Sequence, residues 1–412
     1  MEGNRSTDQG LSPMRLHSRR NFMKGAAACA MAYRATMRAQ GDRLLAYVGT
    51  DSKPVDGPAN GKGIYLYEIN QATGGLSLLH LAAETTSPSW LSLHPSHRYL
   101  YCVNEVSDYE GNSGSVSAFF VEKSTGRLRH LSTVSSHGAG PTHMSIDRSG
   151  KYAFVANYFG GSIAVLPIHP DGSLGAAVFV HRDHGALGSL RATDAPSGSF
   201  AISGHDAPHA HMIHADPANR FVLQTDLGQD RIYVYRFDSS TGQLTPAHTP
   251  FVTLPSGDGP RHFAFHPNGR FMYSIQEEAS TVVLFHYDSV TGSLRAQQTV
   301  STLPAGFTGT NFCSEIVVSA EGRFLYAANR LHNSIAIFAI APDGRLQRIG
   351  GVLTEGDYPN HIAIGPGGSF LHVCNQRSDQ ITSFRIDRHT GLLTFTDQYA
   401  PLGTPMCMAF LE

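Results

Sequence analysis

The sequence predicts an all-β protein, specifically a seven-bladed β-propeller. Three observations lead to this prediction: a glycine-containing turn recurs seven times, an aromatic-rich strand pattern alternates with it, and the C-terminal segment has the pattern of one further strand. The chain has 412 residues, enough for one large β architecture or for two or three ordinary domains. Because one unit repeats along nearly the whole chain, we expect a single propeller over residues 41–412.

The recurring turn has the form Thr/Asp-Gly-x-Leu, and successive copies are about 50 residues apart. Its seven copies contain Gly74, Gly126, Gly172, Gly242, Gly292, Gly344 and Gly391. Only the interval between Gly172 and Gly242 is long, and it holds an insertion at residues 182–205 that is rich in Gly, Ser and Ala. This composition is typical of a loop, so we expect a flap-like insertion there.

The second pattern is a turn followed by an aromatic-rich run that ends in a polar residue. Six copies end at Asn104, Asn157, Asp226, Gln276, Asn329 and Asn375, and residues 44–50 form a shorter seventh copy. Short runs of this kind, bounded by turn residues, are typical of β-strands. Four short strands in each of seven repeats predict a seven-bladed propeller.

The two ends of the repeat region predict how the ring closes. The first repeat begins with its second strand at residues 44–50, whereas residues 404–410 have the pattern of a first strand. We therefore expect the C-terminal strand to complete the first blade and close the ring. Closure removes the exposed sheet edges that an open sheet would present.

Residues 1–40 have the pattern of an export signal followed by a linker. The segment SRRNFMK at residues 18–24 matches the bacterial twin-arginine pattern, and a short apolar stretch follows at residues 25–33. Such a segment is recognised by the twin-arginine export machinery and is not part of the fold. It predicts a periplasmic or secreted protein; a disordered basic tail is the alternative, and a leader that does not function would leave the protein cytoplasmic. Arg34 and Arg38 interrupt the apolar stretch and leave the cleavage point open.

Composition excludes several function classes. The formal net charge is −2 and no basic block is present, which argues against nucleic acid as a partner. No apolar window reaches the ~18 residues of a membrane span. The five cysteines contain no CxxC pair, which excludes a dense disulfide scaffold and the common zinc modules. We expect a monomer that acts on a small molecule.

Comparing equivalent positions of the repeats separates structural residues from candidate functional ones. One position, at the start of the innermost strand, is occupied by Ser89, Thr142, His211, Arg261, Ser314 and Asn360. Most of these are small and polar, so His211 and Arg261 need another explanation. A second position, directly after the second strand, is occupied by Asp51, Glu105, Tyr158, Leu227, Glu277, Arg330 and Gln376.

Four residues from three consecutive blades are thereby predicted to converge at one mouth of the central channel. They are His211, Arg261, Glu277 and Arg330. Paired guanidinium groups bind anionic oxygens, and His or Glu can transfer protons near neutral pH. The alternative is a solvated channel whose charge pairs only hold blades together.

Other polar residues at these positions receive different interpretations. Asp51 and Glu105 share the second position, have no cation at that position in a neighbouring blade, and are expected to be surface residues. Three histidines recur in the next position of the inner strand and are expected to form hydrogen bonds between blades; they are His143, His262 and His361. His209 lies two residues from His211, which is a conceivable metal pair, but no third ligand is evident. We therefore predict no metal and assign His209 to substrate binding.

The segments GPRHFAFHPNGRFMYSIQEEAST and GRFLYAANRLHNSIAIF carry a family resemblance. Over residues 44–410 the chain resembles the seven-bladed propeller lactonases, which include a bacterial 6-phosphogluconolactonase and a fungal carboxy-cis,cis-muconate lactonizing enzyme. The resemblance implies an active site at the same four residues, His211, Arg261, Glu277 and Arg330. It also implies that no metal or organic cofactor is needed.

The resulting functional hypothesis is hydrolysis of a sugar lactone, with 6-phosphogluconolactone as one candidate. Arg261 and Arg330 would hold the substrate's anionic group and polarise its ester carbonyl. Glu277 or His211 would act as the general base, and the residues alone leave this choice open. Two alternatives remain: a lactonizing isomerase that closes a muconate-like diacid, and a propeller without catalytic activity that binds a ligand or a protein.

Overall fold

Seven antiparallel sheets of four strands each are arranged around a central channel in the computed structural model, which describes residues 44–53, 59–202 and 204–411. The predicted leader, residues 1–40, lies outside the described residues. Each sheet is one blade. In blades 2 to 7 the strands follow one another in sequence from the channel outward, and in blade 1 the last strand of the chain is innermost. Among the described residues, no helix is long and apolar enough to cross a membrane.

The four strands of each blade have the following bounds, from the innermost strand to the outermost. Blades 1 to 3 consist of Pro405–Leu411, Leu44–Thr50, Gly63–Ile69 and Leu76–Glu84; Trp90–Leu93, Tyr99–Tyr109, Ser113–Glu122 and Arg127–Ser135; and Pro141–Ile146, Tyr152–Asn157, Ser162–Pro167 and Phe179–Arg182. Blades 4 and 5 consist of Ala210–Ala215, Phe221–Asp226, Arg231–Phe237 and Leu244–Thr253; and Pro260–Phe265, Phe271–Gln276, Thr281–Tyr287 and Leu294–Ser301. Blades 6 and 7 consist of Cys313–Val318, Phe324–Asn329, Ser334–Ile340 and Leu346–Leu353; and Pro359–Ile364, Phe370–Asn375, Gln380–Ile386 and Leu393–Pro401.

The ring closes as the sequence predicts. The C-terminal strand Pro405–Leu411 pairs antiparallel with Leu44–Thr50 and becomes the innermost strand of blade 1. Each innermost strand also contacts the innermost strand of the next blade, and this series of contacts continues around the whole ring. The prediction of a seven-bladed propeller closed by its C-terminal strand is therefore confirmed.

The two repeated sequence patterns meet at the interface between neighbouring blades. All seven turn glycines have positive φ angles, between 69° and 86°, a region that only glycine enters without strain. Gly344 of blade 6 lies against the ring of Phe271 in blade 5, and Gly292 of blade 5 lies against Phe221 in blade 4. A Cβ atom at either glycine would stand only 2.7–2.8 Å from that ring. At these interfaces the turn glycine of one repeat thus packs against the aromatic residue of the preceding repeat.

The hydrophobic core lies between the blades. The described residues form seven apolar clusters, and each cluster joins two neighbouring blades. For example, Phe338 of blade 6 packs with Tyr273 and Ile275 of blade 5, and all three are fully buried. Burying one such side chain contributes about 1.5–3 kcal/mol. Because the second strands are buried on both faces, they appear in the sequence as continuous apolar runs that end in a polar residue.

The segment between blades 3 and 4 leaves the repeat pattern and borders the channel. Within it, Ser199–Phe200 pairs in parallel with Gly309–Thr310, which precedes blade 6. Nearer its start, the backbone N–H of Ser189 donates to Ser256 Oγ at 2.8 Å and the Thr193 hydroxyl donates to the Ser256 carbonyl at 2.7 Å. The segment therefore contacts the loops that lead into the innermost strands of blades 5 and 6.

Candidate active site

The residue that follows the polar end of each aromatic-rich run is fixed by the same backbone hydrogen bond in every blade, and in blade 2 this residue, Glu105, lies within the longer strand Tyr99–Tyr109. The N–H of Glu277 donates to the carbonyl of Gly259 at 2.7 Å, and the N–H of Arg330 donates to the carbonyl of Phe312 at 2.7 Å. Equivalent bonds begin at Asp51, Glu105, Tyr158, Leu227 and Gln376. In each case the acceptor lies two residues before the candidate position of the innermost strand. This shared bond places all seven side chains at one level of the channel.

His211 and Arg261 owe their orientation to β-bulges. In blade 4 the strand pairing passes from Ala210 to Met212, and His211 has no opposite residue. In blade 5 it passes from Pro260 to His262 in the same way, which leaves Arg261 on the bulge. A bulge re-aims a side chain that regular pairing would send into the sheet. Proline is common at bulges and begins the bulged strands of blades 3, 5 and 7, at Pro141, Pro260 and Pro359, whereas Ala210 in blade 4 gives no such signal.

The four predicted residues line one cavity of about 320 Å³ at this mouth of the channel, and His209 lines it with them. The remaining lining residues among those described are Asp51, Ser89, Trp90, Glu105, Thr142, Tyr158, Phe159, Gly204, Asp206, His262, Tyr358, Asn360, Gln376 and Met406. Half of them occupy the two repeated positions singled out in the sequence. The cavity volume is at the lower end of the range for small-molecule sites and suits about one sugar ring.

Glu277 links the two arginines through one oxygen. Its Oε2 lies 3.0 Å from Arg261 Nε and 2.6 Å from Arg330 Nη2, and all three side chains are buried. Arg261 Nη1 also donates to the carbonyl of Ser314 at 2.7 Å, and Arg330 Nη2 donates to that of Cys313 at 3.1 Å. These contacts hold both guanidinium groups in fixed positions before any ligand arrives.

The surroundings shift the pKa values of the two arginines in opposite directions. Burial is the largest single effect and opposes the positive charge of Arg330. The charge and hydrogen bond of Glu277, together with the nearby Tyr358, outweigh burial and hold the pKa of Arg330 above its usual value. Burial, followed by the positive charge of Arg330, lowers the pKa of Arg261. A guanidinium stays protonated in proteins, so both arginines remain cations facing the cavity.

His211 is suited to accept a proton. Its ring lies between Tyr158 and His262, with ring centroids 5.5 Å and 5.0 Å away. Its Nδ1 is buried and has no hydrogen-bond partner among the described residues. Burial, followed by the positive charge of Arg261, holds the pKa of His211 well below its usual value. The imidazole is therefore neutral at pH 7.

His209 forms part of the cavity wall. It lies directly before the strand Ala210–Ala215, and its ring stacks on Tyr158 with centroids 4.2 Å apart. One ring nitrogen is hydrogen-bonded to the carbonyl of Tyr158 at 3.0 Å, and the other to Asp206 Oδ1 at 2.9 Å. Both nitrogens are thus engaged by protein groups, and no cluster of three metal-binding side chains occurs in the part of the chain that the structure describes. Sequence reasoning missed Tyr158 and Asp206, although Tyr158 occupies the repeated position.

The expectation that Asp51 is a surface residue is wrong. Asp51 is buried in the cavity wall, where its Oδ1 accepts hydrogen bonds from the Ser87 hydroxyl at 2.6 Å and from the N–H of Lys53 at 3.1 Å. Glu105 is half-buried and lines the same wall. Hydrogen bonds from a hydroxyl and a backbone N–H help to hold this carboxylate in the wall, and a comparison of repeated positions does not reveal them.

A layer of rings closes the cavity on its inner side. Trp90 lies 4.4 Å from His143 and 5.3 Å from both His262 and His361, measured between ring centroids. His262 Nδ1 is hydrogen-bonded to Glu315 Oε1 of the next blade at 3.0 Å. The N–H of Ile213 in blade 4 donates to His143 Nδ1 at 3.4 Å. The predicted hydrogen bonds between blades are confirmed for His143 and His262.

Comparisons with known proteins agree with this architecture. A family model described as "Lactonase, 7-bladed beta-propeller" matches residues 45–410. The chain is 30% identical over 371 residues to a 6-phosphogluconolactonase of Bacillus subtilis, covering 90% of this chain and 99% of that protein. It is 30% identical over 348 residues to a 6-phosphogluconolactonase of Pectobacterium atrosepticum, covering 84% and 95%.

A solved structure agrees as well. The periplasmic gluconolactonase of Pseudomonas aeruginosa superimposes with a TM-score of 0.79 at 32% identity, covering 90% of this chain and 99% of that one. The family model and the relatives span nearly all the residues that form the propeller and its cavity. The chain therefore belongs to the seven-bladed β-propeller lactonase family.

Proposed function

We propose that this protein hydrolyses a sugar lactone to the open-chain acid. The observation that carries the proposal is the buried group of Arg261, Glu277 and Arg330 beside the neutral imidazole of His211 in a cavity of sugar-ring size. The names of its relatives, 6-phosphogluconolactonase and gluconolactonase, point to the same reaction class. Family membership supports lactone chemistry, whereas the roles of the individual residues rest on their geometry.

In the proposed mechanism, water attacks the lactone carbonyl while a general base removes its proton. The negative charge that develops on the carbonyl oxygen is stabilised by the guanidinium groups of Arg261 and Arg330. The bond between the carbonyl carbon and the ring oxygen then breaks, and the ring oxygen takes up the proton. The net reaction adds one water to the lactone and yields a hydroxy acid.

We assign the base to His211. Protonation of Glu277 at Oε2 would disrupt contacts to two guanidinium groups, so this carboxylate is better suited to hold the arginines in place. The imidazole of His211 is neutral, so one of its ring nitrogens carries no proton and can accept one. A base must also reach the water that it deprotonates, and His211 lines the cavity.

The test is hydrolysis of glucono-δ-lactone by the purified protein, corrected for spontaneous opening. Arg261→Ala and Glu277→Gln should each lower kcat by about 10²–10³-fold, because the fixed positive charge at the carbonyl oxygen is lost or displaced. Arg345→Ala is a matched control, since its side chain is exposed on the outer turn of blade 6. Circular dichroism and thermal melting check that each variant folds.

Three outcomes would redirect the proposal. Full activity of folded Arg261→Ala would contradict the site assignment. If the wild-type protein opened no lactone but closed a muconate-like diacid, the isomerase would replace the hydrolase. Binding of a ligand or protein without turnover would favour a propeller that is not an enzyme.

We also propose that the protein acts in the periplasm or is secreted. The twin-arginine pattern within residues 1–40 supports this location, as does the periplasmic designation of the Pseudomonas aeruginosa relative. Cell fractionation should find the wild-type protein outside the cytoplasm, and replacement of Arg19 and Arg20 by Lys should retain it inside. Equal distribution of both forms would contradict export by this route.

A further inference from the structure

Two aromatic side chains beside Arg330 have no role in the proposed mechanism. They are Phe312 and Tyr358, which directly precede the innermost strands of blades 6 and 7. We propose that these two rings are positioning residues, which hold the guanidinium group of Arg330 in the orientation that stabilises the carbonyl oxygen of the substrate. The inference rests on the proposed function, because it takes the role of Arg330 from the proposed mechanism.

Both rings contact the same guanidinium group. The Cζ atom of Arg330 lies 5.5 Å from the ring centroid of Phe312 and 5.2 Å from that of Tyr358. Both distances are within the ~6 Å range of cation–π attraction, which is stronger where the cation is shielded from water, and Arg330 is buried. Phe312 precedes a strand of the same blade as Arg330, and Tyr358 precedes a strand of the next blade. The guanidinium is therefore contacted by rings from two blades.

The hydrogen bonds of Arg330 hold one corner of its guanidinium group. The Glu277 carboxylate and the Cys313 carbonyl are both contacted by Nη2, at 2.6 Å and 3.1 Å. The buried Nε forms no hydrogen bond within the part of the chain that the structure describes. Two contacts at one nitrogen fix the location of that atom but allow the rest of the planar group to turn. Aromatic rings packed against the group restrict this movement, so they complete what the hydrogen bonds begin.

A third repeated position of the propeller supports the assignment. Its carbonyl accepts the backbone hydrogen bond that fixes the residue of the second position, and in blades 1 to 7 it is occupied by Thr404, Ser87, Gly140, His209, Gly259, Phe312 and Tyr358. Four of these residues are small. The three rings all pack against side chains of the second position: His209 stacks on Tyr158, and the other two contact Arg330. Rings thus occur at the third position where they support a side chain of the cavity wall.

The backbone at Tyr358 is unfavourable for a large side chain. Its φ angle is 61°, in the left-handed region, and the residues at the third position of four other blades have φ angles of 40–69°. Glycine enters this region without strain, whereas a bulky residue is uncommon there. The propeller therefore does not require a ring at this position, and the ring of Tyr358 needs a reason other than the local fold. Its contact with Arg330 in the cavity supplies that reason.

Tyr358 is itself fixed in place, as a positioning residue must be. Its N–H donates to Asn333 Oδ1 at 2.9 Å, and its carbonyl accepts the N–H of Gln376 at 3.0 Å. The exposed Arg377 also lies over its ring, with Cζ 3.7 Å from the centroid. These contacts restrict both the backbone and the ring of Tyr358, which can therefore restrain Arg330.

The kinetic test compares Tyr358→Leu, Phe312→Leu and Tyr358→Phe with the wild type in the assay with glucono-δ-lactone. Each leucine variant should lower kcat by about 10-fold, which is less than the loss expected when a charge-stabilising donor is removed outright. KM should change by less than about 3-fold, because the charge on the carbonyl oxygen develops in the transition state. Tyr358→Phe keeps the ring, so its kcat should lie within about 3-fold of the wild-type value. Phe251→Leu is the matched control, since this exposed ring lies 4.4 Å from Cζ of Arg231 and outside the cavity.

Two kinetic results would overturn the inference. Wild-type kcat in both folded leucine variants would show that the rings do not support the reaction. An equal loss of kcat in Tyr358→Phe and Tyr358→Leu would assign the effect to the hydroxyl group instead of the ring. Thermal melting checks folding, and Phe312 is only half-buried, so its variant keeps the test open if Tyr358→Leu does not fold.

The mobility of Arg330 separates this inference from the proposed function. Nitrogen NMR relaxation of the Arg330 Nε–H group, identified by its absence in Arg330→Lys, measures this mobility without any substrate. The group should become more mobile in both leucine variants and stay as rigid as in the wild type in Tyr358→Phe and Phe251→Leu. Unchanged mobility in both leucine variants would overturn the inference whatever the activity. Increased mobility in a protein that opens no lactone would instead contradict the hydrolase and leave the positioning of Arg330 standing.

Discussion

The two ends of the channel are built from the same seven innermost strands but differ in chemistry. The cavity at the active-site end holds about 320 Å³ and is lined by four carboxylates, two guanidiniums and three imidazoles among the described residues. The cavity at the opposite end holds about 540 Å³ and is lined mainly by aliphatic and aromatic side chains. The layer of Trp90, His143, His262 and His361 lies between them.

The difference follows from how the backbone presents side chains at each end. At the active-site end, the innermost strands are bulged and the residues after the second strands point to the same level. Side chains of the innermost strands and side chains of the residues after the second strands therefore meet at this end. At the opposite end the innermost strands pair regularly, and one set of side chains fills the channel. Polar chemistry is concentrated where the backbone departs from regular pairing.

The strongest test of this difference is at His211 on the bulge of blade 4. His211→Asn should lower kcat by about 10²–10⁴-fold, because the general base is lost. Thr142→Ala changes the equivalent position of blade 3 and serves as the matched control. Lactone hydrolysis and thermal melting are measured for both variants. Wild-type turnover by folded His211→Asn would show that another group is the general base.

The pH dependence of the rate should sharpen the same assignment. His211 must be neutral to accept a proton, and its pKa is held well below the usual value of 6.5. The rate is therefore lost only when the pH falls through this lowered pKa, and kcat/KM should stay constant from pH 7.5 to below pH 6. The profile is measured by titration of the released acid. A fall in rate centred on pH 6.5 would show that the titrating base has an ordinary histidine pKa.

The layer between the two ends should matter more for stability than for turnover. Glu315→Ala removes the partner of His262 Nδ1 and leaves a buried donor unsatisfied. The free energy of unfolding should fall by about 1–3 kcal/mol, while kcat changes by less than about 3-fold. Urea unfolding and the lactone assay measure the two effects. A large loss of kcat at unchanged stability would show that this layer contributes to catalysis.

The smallest effect is expected at the apolar end. Ile364 lines that cavity and is half-buried, so Ile364→Val removes one methylene and should cost about 0.5–1 kcal/mol. Turnover should equal that of the wild type, because the substituted side chain lies beyond the ring layer. Chemical unfolding and lactone hydrolysis test this together. Any change in kcat beyond error would show that the two ends are coupled.

The sequence predicted those features that recur in every repeat. Gly344 and Phe271 belong to patterns that appear in all or nearly all blades, so their structural roles could be recognised before their contact was known. His211 and Arg261 were found because they differ from their counterparts in other blades. Residues that act in one blade only were not recognised: Asp206 belongs to the segment outside the repeats, and its contact with His209 has no counterpart elsewhere among the described residues.

The bulges could not have been predicted from the same patterns. Regular pairing would point Arg261 and His262 to opposite faces of the strand, whereas both line the cavity. The bulge of blade 5 begins at Pro260, a position where proline is common, but proline is also common in turns and does not by itself predict a bulge. The bulge of blade 4 begins at Ala210, which gives no signal. The burial of Asp51 was missed for a related reason, since its hydrogen-bond partners include a hydroxyl and a backbone N–H that the repeated patterns do not mark.

The pairing of Pro405–Leu411 with Leu44–Thr50 has a consequence for folding during synthesis. The first blade to leave the ribosome is the last to be completed, because its innermost strand is made about 360 residues later, and closing a loop of that length costs roughly 5 kcal/mol of chain entropy. Until then, one edge of Leu44–Thr50 has no partner and is open to pairing with other chains. The nascent protein therefore depends on rapid final pairing, and chaperones that cover strand edges should act mainly on this first blade.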